Sequence, residues 1–301
     1  MNLLVTGAVA WSENELNELR SFGNDIVFMQ YENSSLPCEA DWIEGVIGNG
    51  LFLYHPIEKF KNLKFIQLTS AGYDRVPMDY IKEKNIKIFN ARGVYSIPMA
   101  EFALSGVLQL YKQSRCFYHN QKERKWEKHR DLLELYGKTV CIVGCGSVGT
   151  ECAKRFSAFG CHVMGVDITP YENKDYEEIE SLNRIDEVLN KSDIVVLTLP
   201  LSNETHHLMN YERLTKLKKG AVLVNIARGA IVDTNALISA LESHLGGAVL
   251  DVFETEPLSE NSPLWYMENV IVTPHNSFVG EGNKKRLFDV IISNLKNIKG
   301  E

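Results

Sequence analysis

Short, almost uninterrupted apolar segments recur along this chain with helical segments between them, and this alternation constrains the fold more than any other feature. In the first hundred residues the predicted strands are Leu3–Thr6, Ile26–Gln30, Gly45–Ile47, Phe65–Leu68 and Ile86–Phe89. Six more follow, at Thr139–Val143, His162–Asp167, Ile194–Leu199, Ala221–Ile226, Ala248–Val252 and Val270–Thr273. Strands that are apolar at successive positions are typical of parallel sheets buried on both faces. The pattern predicts an α/β protein with doubly wound parallel sheets.

The 301 residues suggest two domains, at roughly 100–200 residues each. The six later strands are enough for one complete dinucleotide-binding fold. The last apolar-periodic segment, Lys284–Ile298, predicts an amphipathic helix with few residues beyond it, so it must pack on a domain already formed. We expect it to return to the N-terminal domain. The predicted domains are therefore residues 1–99 plus 278–301, which form a discontinuous domain, and residues 100–277.

Composition excludes several classes of partner. Lys and Arg total 32 against 39 Asp and Glu, a net charge of −7 without a basic stripe, so no nucleic-acid partner is expected. The longest apolar run, Ile194–Leu199 with Pro200 and Leu201, falls far short of the roughly 20 residues that span a membrane. The N-terminus lacks a signal-peptide pattern, and the six cysteines contain no CxxC pair. We expect buried free thiols, no metal site and a cytoplasmic location.

A glycine motif, Gly144-Cys145-Gly146-Ser147-Val148-Gly149, lies between a predicted strand and a predicted helix. The helix has an apolar face of Val148, Cys152, Phe156 and Phe159 and is expected to stop at Gly160, before a strand that ends at Asp167. This strand–turn–helix–strand–acid order is typical of dinucleotide-binding proteins. It predicts that the glycine turn and the following residues, Ser147 and Val148, hold a pyrophosphate at the start of the helix.

Each glycine has a predicted use: Gly144 forms the tight turn, Gly146 allows the backbone to approach the pyrophosphate, and Gly149 allows close helix–strand packing. Asp167 is expected to accept hydrogen bonds from the adenosine ribose and to repel a 2′-phosphate. The next residues, Ile168-Thr169-Pro170, contain no arginine that would bind one. The predicted cofactor is therefore NAD rather than NADP.

Three further segments follow predicted strands, where the active sites of such sheets lie: Val224–Gly229, Leu250–Leu258 and Val272–Ser277. With these motifs in place, the chain resembles the D-isomer-specific 2-hydroxyacid dehydrogenase family over nearly its whole length. The segments that carry the resemblance are Ser70-Ala71-Gly72-Tyr73-Asp74, Ala100-Glu101, the glycine motif, Leu199-Pro200-Leu201 with Thr205, Ala227-Arg228-Gly229, Glu256-Pro257 and Thr273-Pro274-His275.

The resemblance implies a Rossmann NAD-binding domain inserted in a flavodoxin-like substrate domain, with the active site in the cleft between them. It implies hydride transfer between nicotinamide and a D-2-hydroxy acid/2-oxo acid pair, with 3-phosphoglycerate, glyoxylate and hydroxypyruvate among the candidate small-molecule substrates. It also implies a homodimer formed through the nucleotide domain. Residues 100–130, with Tyr111, Phe117, Tyr118 and Trp126, are candidates for that interface, and packing in the core is the alternative for them.

The resemblance maps a catalytic trio onto Arg228, Glu256 and His275. A histidine can give and take back the proton of the hydroxyl group near neutral pH. A carboxylate orients the imidazole, and an arginine fork binds the substrate carboxylate and carbonyl oxygen. Residue chemistry alone does not choose among Asp251, Glu254 and Glu256 as the acid; the resemblance selects the residue before Pro257. We expect His206 and His207 to be solvated.

The remaining site residues also follow from the resemblance. Cofactor contacts are predicted for Leu199, Pro200, Thr205, Ile226, Ala227 and, near the nicotinamide carboxamide, Asp251. Substrate contacts are predicted for Ser70, Ala71, Gly72, Tyr95 and Ser277. Many family members have Asn where Tyr95 stands, which leaves the identity of the substrate open. A different class of function, an NAD(H)-sensing corepressor-like binding protein of the same fold, is the alternative to an enzyme.

Overall fold

The computed structural model describes residues 1–299, and the chain divides into two compact units. Unit 1 consists of Met1–Tyr95 together with the chain from Gly280 onward, and unit 2 is Ser96–Val279. The last two residues of the expected segment 278–301 lie outside the described residues. Along the chain, residues 96–99 and 278–279 therefore cluster with unit 2.

Unit 1 is built on one parallel sheet in the order β2-β1-β3-β4-β5. Its strands are β1 (Asn2–Thr6), β2 (Asp25–Met29), β3 (Gly45–Gly48), β4 (Phe65–Leu68) and β5 (Lys87–Phe89). Its helices are α1 (Glu13–Ser21), α2 (Met78–Glu83) and the last helix of the chain, α9 (Asn283–Lys299). The strand order is that of flavodoxin-like domains.

The last helix packs against the beginning of the chain. Leu287, Ile291 and Leu295, spaced by four, share one apolar core with β1 and α1. Two polar contacts reinforce this packing: Lys284 Nζ lies 2.9 Å from Glu15 Oε2, and Asn294 Nδ2 donates to Gln67 Oε1 at 2.8 Å. A second apolar cluster covers the other face of the same sheet, so unit 1 is doubly wound.

Unit 2 contains a seven-stranded parallel sheet in the order β12-β11-β10-β9-β6-β7-β8. Its strands are β6 (Thr139–Val143), β7 (His162–Asp167), β8 (Glu178–Ser181), β9 (Ile194–Leu197), β10 (Val222–Asn225), β11 (Gly247–Leu250) and β12 (Val270–Val272). Its helices are α3 (Ser96–Tyr111), α4 (Ser114–Lys122), α5 (Ser147–Ala158), α6 (Ile185–Leu189), α7 (Tyr211–Lys216) and α8 (Thr234–Ser243).

The order of the first six strands of unit 2 is the Rossmann order, and apolar clusters cover both faces of the sheet. The predicted fold class, with two doubly wound parallel sheets, is confirmed. Between Leu197 and Met209 the chain leaves the sheet and then runs beside the segment Ala230–Val232, where Met209 forms a parallel bridge with Val232.

Two details of the sequence prediction are wrong. The sheet of unit 2 has a seventh strand, β8, which pairs only with β7 at the sheet edge and has a single buried side chain, Ile179. A polar edge strand of this length lacks the apolar run that marks the other strands. The predicted apolar face of α5 is right for Cys152 and Phe156, which are fully buried, but Phe159 lies beyond the last helical residue and is half-exposed.

Candidate functional site

The glycine turn joins β6 to α5 at the carboxyl edge of the unit 2 sheet. Gly144 has φ +97°, a conformation that favours glycine, and a Cβ there would lie 2.7 Å from the Leu199 nitrogen. A Cβ on Gly149 would lie 2.1 Å from the Gly144 oxygen, so α5 packs directly on the turn. Around Gly146, apart from its chain neighbours, no heavy atom of the described residues lies within 4 Å of a Cβ position.

The space at Gly146 adjoins the first backbone amides of α5. The first hydrogen bond of this helix runs from the Thr150 amide to the Gly146 oxygen at 2.9 Å, which leaves the amides of the first turn, including those of Ser147 and Val148, without a partner inside the helix. These amides and the helix dipole favour an anion. The turn therefore combines open space and positive polarity, which are the properties that a pyrophosphate requires.

Asp167 ends β7 beside this turn. Its Oδ2 accepts a hydrogen bond from the Cys145 amide at 2.7 Å, and its Oδ1 accepts one from the Thr169 amide at 3.1 Å. A carboxylate has about four lone-pair positions, so both oxygens keep capacity for ribose hydroxyls. Tyr171, which sequence reasoning missed, donates its hydroxyl to the Cys145 oxygen at 2.5 Å. Burial raises the pKa of the Cys145 thiol to about 12, so that thiol stays protonated.

Several of the predicted cofactor residues after β9 and β10 are buried or form hydrogen bonds within their own loops. Leu199 is buried against the glycine turn, and the buried Thr205 donates its hydroxyl to the Pro200 oxygen at 2.8 Å while accepting from the Ser202 amide at 2.7 Å. Ile226 and Ala227 are both buried directly after β10. The structure thus gives Thr205 a local structural contact, and its predicted contact with a cofactor stays a prediction.

His275 and Glu256 form a hydrogen-bonded pair, with Nδ1 of the imidazole 2.9 Å from Oε2 of the carboxylate. The other carboxylate oxygen of Glu256 accepts from the Phe253 amide at 3.1 Å. His275 has φ +51°, a left-handed conformation, three residues after the end of β12. Because Nδ1 is engaged by the carboxylate, Nε2 is the ring nitrogen that is available to exchange a proton with a substrate.

The structure distinguishes the three candidate acids by their contacts. Glu256 binds His275, whereas Glu254 binds the ring of His207 at 2.6 Å and both the amide and the hydroxyl of Thr234. The expectation that His207 is solvated holds only in part, because its side chain is 35% exposed and its ring is held by a carboxylate. His206 is exposed and stacks on His207 with ring centroids 4.1 Å apart.

Asp251 is fully buried and organises the segment that carries His275. Its carboxylate accepts hydrogen bonds from the Thr273 hydroxyl at 2.7 Å, the Asn276 amide at 2.8 Å and the Ser277 amide at 2.9 Å, and its backbone oxygen accepts from the His275 amide at 2.8 Å. These bonds use most of the hydrogen-bond acceptor capacity of the carboxylate. Ser277, a predicted substrate contact, is itself buried. The predicted contact of Asp251 with nicotinamide stays a prediction.

Arg228 lies in the turn that follows β10, partly buried, with Nη1 donating to the Ala227 oxygen at 2.7 Å. The buried side chain of Asn225 holds this turn: it accepts from the Ala227 amide at 3.1 Å and donates to the Arg228 oxygen at 3.0 Å. Sequence reasoning missed Asn225, although one polar residue at the end of an apolar strand is a usable signal. Arg228, Glu256 and His275 follow the neighbouring strands β10, β11 and β12.

In unit 1 the loop after β4 carries Ser70, Ala71 and Gly72. Its backbone oxygens are bound from within the unit: Ser70 O accepts from the Ala91 amide at 2.9 Å, Ala71 O from the Asn90 side chain at 2.6 Å, and Gly72 O from the Ser70 hydroxyl at 3.1 Å. Tyr95 donates its hydroxyl to the Thr69 oxygen, and burial raises its pKa. The structure therefore places Tyr95 as a support of this loop.

No helix among residues 1–299 is long and apolar enough to cross a membrane. Within the same residues no group of three or more His, Cys, Asp or Glu side chains is arranged to hold a metal ion.

The Rossmann sheet, the glycine turn with Asp167 and the Glu256–His275 pair are together typical of nucleotide-dependent dehydrogenases. Residues 104–277 match the sequence profile of the "D-isomer specific 2-hydroxyacid dehydrogenase, NAD binding domain". A glyoxylate reductase of Thermofilum pendens is 36% identical over 254 residues, which cover 80% of this chain and 73% of that protein. This chain belongs to the D-isomer-specific 2-hydroxyacid dehydrogenase family and is an oxidoreductase of the dehydrogenase and reductase class.

Solved structures are similar over almost the whole chain. The D-lactate dehydrogenase of Aquifex aeolicus, complexed with NAD and lactic acid, has a TM-score of 0.79 and 27% identity and covers 99% of this chain and 96% of its own. A D-isomer specific 2-hydroxyacid dehydrogenase of Xanthobacter autotrophicus Py2, in complex with NADPH and MES, has a TM-score of 0.80 and 29% identity and covers 99% and 95%. Structural relatives of this chain thus bind NAD or NADPH.

Proposed function

We propose that this protein interconverts a D-2-hydroxy acid and its 2-oxo acid with NAD as the cofactor. The observation that carries the proposal is the pair formed by His275 Nδ1 and Glu256 Oε2, which are 2.9 Å apart. The two residues lie in the segments after β12 and β11, and β11 lies next to β10, the strand that leads into Arg228. An imidazole held by a carboxylate supplies a proton donor of fixed orientation, and an arginine supplies a binding fork for a carboxylate.

The glycine turn and Asp167 fit a dinucleotide on two observations, the open space at Gly146 and the remaining acceptor capacity of Asp167. In this proposal the first amides of α5 hold the pyrophosphate, and Asp167 binds the adenosine ribose and disfavours a 2′-phosphate. When bound, NADH supplies the hydride that reduces the substrate carbonyl carbon. The preference for NAD over NADP rests on Asp167 and on the absence of a basic residue in Ile168-Thr169-Pro170.

The residues of this chain complete the reaction as follows. The Arg228 guanidinium binds the substrate carboxylate and stabilises the negative charge that develops on the carbonyl oxygen. Protonated His275 gives the proton on Nε2 to that oxygen, which yields the 2-hydroxy acid and a neutral imidazole. In oxidation the neutral imidazole takes the same proton back. Glu256 fixes the ring through Nδ1 and stabilises its charged form. Backbone amides of the Ser70–Gly72 loop are proposed as a further contact for the substrate carboxylate.

The test is a spectrophotometric assay of NADH oxidation with a panel of 2-oxo acids that includes glyoxylate, hydroxypyruvate and 3-phosphohydroxypyruvate. We expect NADH-dependent reduction of at least one of them. His275→Gln is expected to lower kcat by about 10²–10⁴-fold, the usual share of acid–base catalysis, with NADH binding intact.

The matched control is His206→Gln, which makes the same change on an exposed histidine of unit 2. Near-normal turnover of His275→Gln would contradict the assigned chemistry. Tight NADH binding without oxidation by any acid of the panel would favour the NAD(H)-sensing binding protein instead.

We also propose that the protein forms a homodimer through unit 2. Tyr118 and Trp126 project from the segment around α4 with 59% and 96% of their surfaces exposed, whereas Tyr111 is buried in the core. Trp126 is the most exposed large hydrophobic residue of those described, and aromatic residues are enriched at protein–protein interfaces. A groove of about 430 Å³ along α3, lined by Leu104 and Leu108 among others, lies in the same unit.

A further inference from the structure

A second carboxylate–histidine pair lies at the carboxyl edge of the unit 2 sheet, outside the proposed catalytic trio. His207 Nε2 is 2.6 Å from Glu254 Oε1, and because a carboxylate only accepts, the ring nitrogen donates. The other oxygen of Glu254 accepts from the Thr234 amide at 3.0 Å and from the Thr234 hydroxyl. One carboxylate thereby connects the loop after β9, the loop after β11 and the first turn of α8.

The Glu254 carboxylate is ionised in this position. Its burial raises its pKa, but the hydrogen bonds from Thr234 and His207 outweigh burial, so that the pKa lies below its ordinary value. A charged acceptor makes stronger hydrogen bonds than a neutral one. The connection between the three segments is therefore made of charge-assisted bonds.

His207 contributes a second connection through its backbone. Its φ is +48°, and its amide donates to the Ala230 oxygen at 2.8 Å, while the Met209 amide donates to the Ile231 oxygen at 3.0 Å. Ala230 and Ile231 lie two and three residues after Arg228. The loop that contains Thr205 and the turn that contains Arg228 are thus joined at the residue whose ring binds Glu254.

The backbone at Glu254 supports both halves of the proposed site. A Cβ on Gly229 would lie 1.8 Å from the Phe253 carbonyl carbon and 2.4 Å from the Glu254 nitrogen, so the Arg228 turn and the loop after β11 are in direct backbone contact. The Phe253 amide, one residue before Glu254, donates to Glu256 Oε1 at 3.1 Å, and Glu256 in turn holds His275. A shift of residues 253–254 would move Arg228 and Glu256 together.

We propose that His207 and Glu254 are positioning residues that hold the Arg228 turn and the Glu256–His275 pair in register with each other. The pair contacts neither substrate nor cofactor in this proposal and exchanges no proton with them. The proposal rests on the catalytic roles proposed above for Arg228, Glu256 and His275. Small displacements of catalytic groups are costly, up to about 10²-fold in rate for about 1 Å, which gives such a support kinetic importance.

The experiment compares three substitutions with the wild-type protein. Glu254→Ala removes all three bonds. His207→Asn removes the ring bond, because the side chain is too short to reach Glu254, yet asparagine tolerates a positive φ. His207→Gln restores a donor of similar reach and is the rescue variant. His206→Ala, which removes only the stacked exposed ring, is the matched control.

We expect Glu254→Ala and His207→Asn to lower kcat for the 2-oxo acid by about tenfold to a hundredfold. The dissociation constant of NADH is expected to stay unchanged, because the glycine turn is not touched. His207→Gln should recover most of the loss, and the double variant Glu254→Ala/His207→Asn should lose no more than Glu254→Ala alone. A lower unfolding temperature with an unchanged kcat would show a purely stabilising pair and overturn the proposal. Equal loss of NADH binding would also overturn it.

A readout without turnover separates this proposal from the proposed function. The Nδ1–H of His275 that is bonded to Glu256 is expected to give a downfield proton resonance, which is assigned by its loss in His275→Gln. We expect this resonance to disappear or shift in Glu254→Ala and to persist in His206→Ala. If it persists unchanged in Glu254→Ala, the positioning proposal fails. If it responds as expected while no 2-oxo acid is reduced, the proposed function fails and the positioning stands.

Discussion

The Asp167 carboxylate makes a hydrogen bond to the glycine turn and carries a negative charge, and we expect the two to act differently on the protein. Its bond to the Cys145 amide fixes the carboxylate against the glycine turn, at 2.7 Å. In the proposed function its negative charge, held in that position, repels a phosphate on the ribose. A substitution that removes the charge of Asp167 but keeps its hydrogen-bond acceptor therefore tests the effect of the charge on cofactor selectivity without changing the shape of the turn.

We predict that Asp167→Asn raises KM for NADH and lowers KM for NADPH. The ratio of kcat/KM for NADPH to kcat/KM for NADH should rise by about tenfold, because about 1.4 kcal/mol of relieved repulsion corresponds to that factor. The asparagine oxygen still accepts from the Cys145 amide, so the unfolding temperature should change little. Glu172→Gln, an equal change of charge at an exposed position of the following loop, is the control. Steady-state kinetics with both cofactors measure the ratio, and an unchanged ratio would refute the role of Asp167.

Residue chemistry could not choose among Asp251, Glu254 and Glu256, and contacts explain why. All three are acids within six positions of each other, and each one binds something: a buried loop, a histidine of another segment, and His275. Only the partner of each carboxylate distinguishes them. Those partners come from the segment after β12 and from the loop after β9, which are distant in sequence from the acids.

The glycine turn with α5 is the element whose structure the sequence predicted best. A positive φ at Gly144 and a close contact at Gly149 both follow from the motif, because the turn and the packing of helix on strand admit no side chain. In contrast, nothing in the described chain crowds Gly146. Substitution of the crowded Gly149 and of the uncrowded Gly146 should therefore have different effects.

We predict that Gly149→Ala destabilises the protein by about 1–3 kcal/mol, because the new methyl group would lie 2.1 Å from the Gly144 oxygen. Gly146→Ala should unfold at the wild-type temperature yet bind NADH more weakly by at least about tenfold, or 1.4 kcal/mol, because its methyl group occupies the space that the pyrophosphate needs. Thermal unfolding and fluorescence titration with NADH measure the two effects. Wild-type affinity in Gly146→Ala would exclude this turn as the pyrophosphate site.

The edge strand β8 shows where element prediction fails. Its sequence, Glu178-Ile179-Glu180-Ser181, has one apolar residue, and pairing with β7 defines it as a strand. A central strand contacts helices on both faces and must be apolar at successive positions, whereas an edge strand has less to bury. Hydrophobic patterning therefore detects the centre of the sheet and misses its border.

At the scale of the whole molecule, the exposed aromatic residues of unit 2 lead to a prediction about the oligomeric state. We predict that the wild-type protein is a dimer by light scattering and that Tyr118→Ala/Trp126→Ala shifts it toward monomer at the same concentration, because the substitutions remove apolar surface that the proposed interface buries. Tyr266→Ala, at a residue 79% exposed elsewhere in unit 2, is the control. A monomeric wild-type protein would contradict the proposed dimer.

The net charge of −7 also has a meaning at this scale. The proposed substrate and cofactor are anions, so the overall field of the protein opposes their approach. Attraction must come from local groups, namely the Arg228 guanidinium and the first amides of α5. In this proposal these groups are directional and close to the ligand, where salt screens them little, whereas salt largely screens charges that lie more than about 8 Å away.

The sequence by itself determined the local features: strands buried on both faces, the glycine turn, the helix that follows it and the residue types of a dehydrogenase site. These features depend on neighbours along the chain, through side-chain periodicity and backbone sterics. Tertiary structure alone decided that His207 binds Glu254, that Asn225 holds the Arg228 turn and that Tyr95 supports the loop after β4. It also brings Glu256, which the family resemblance selected and residue chemistry left open, into contact with His275. Those contacts join segments that are far apart in sequence, and a hydrogen bond depends on distances that only the folded chain brings within reach.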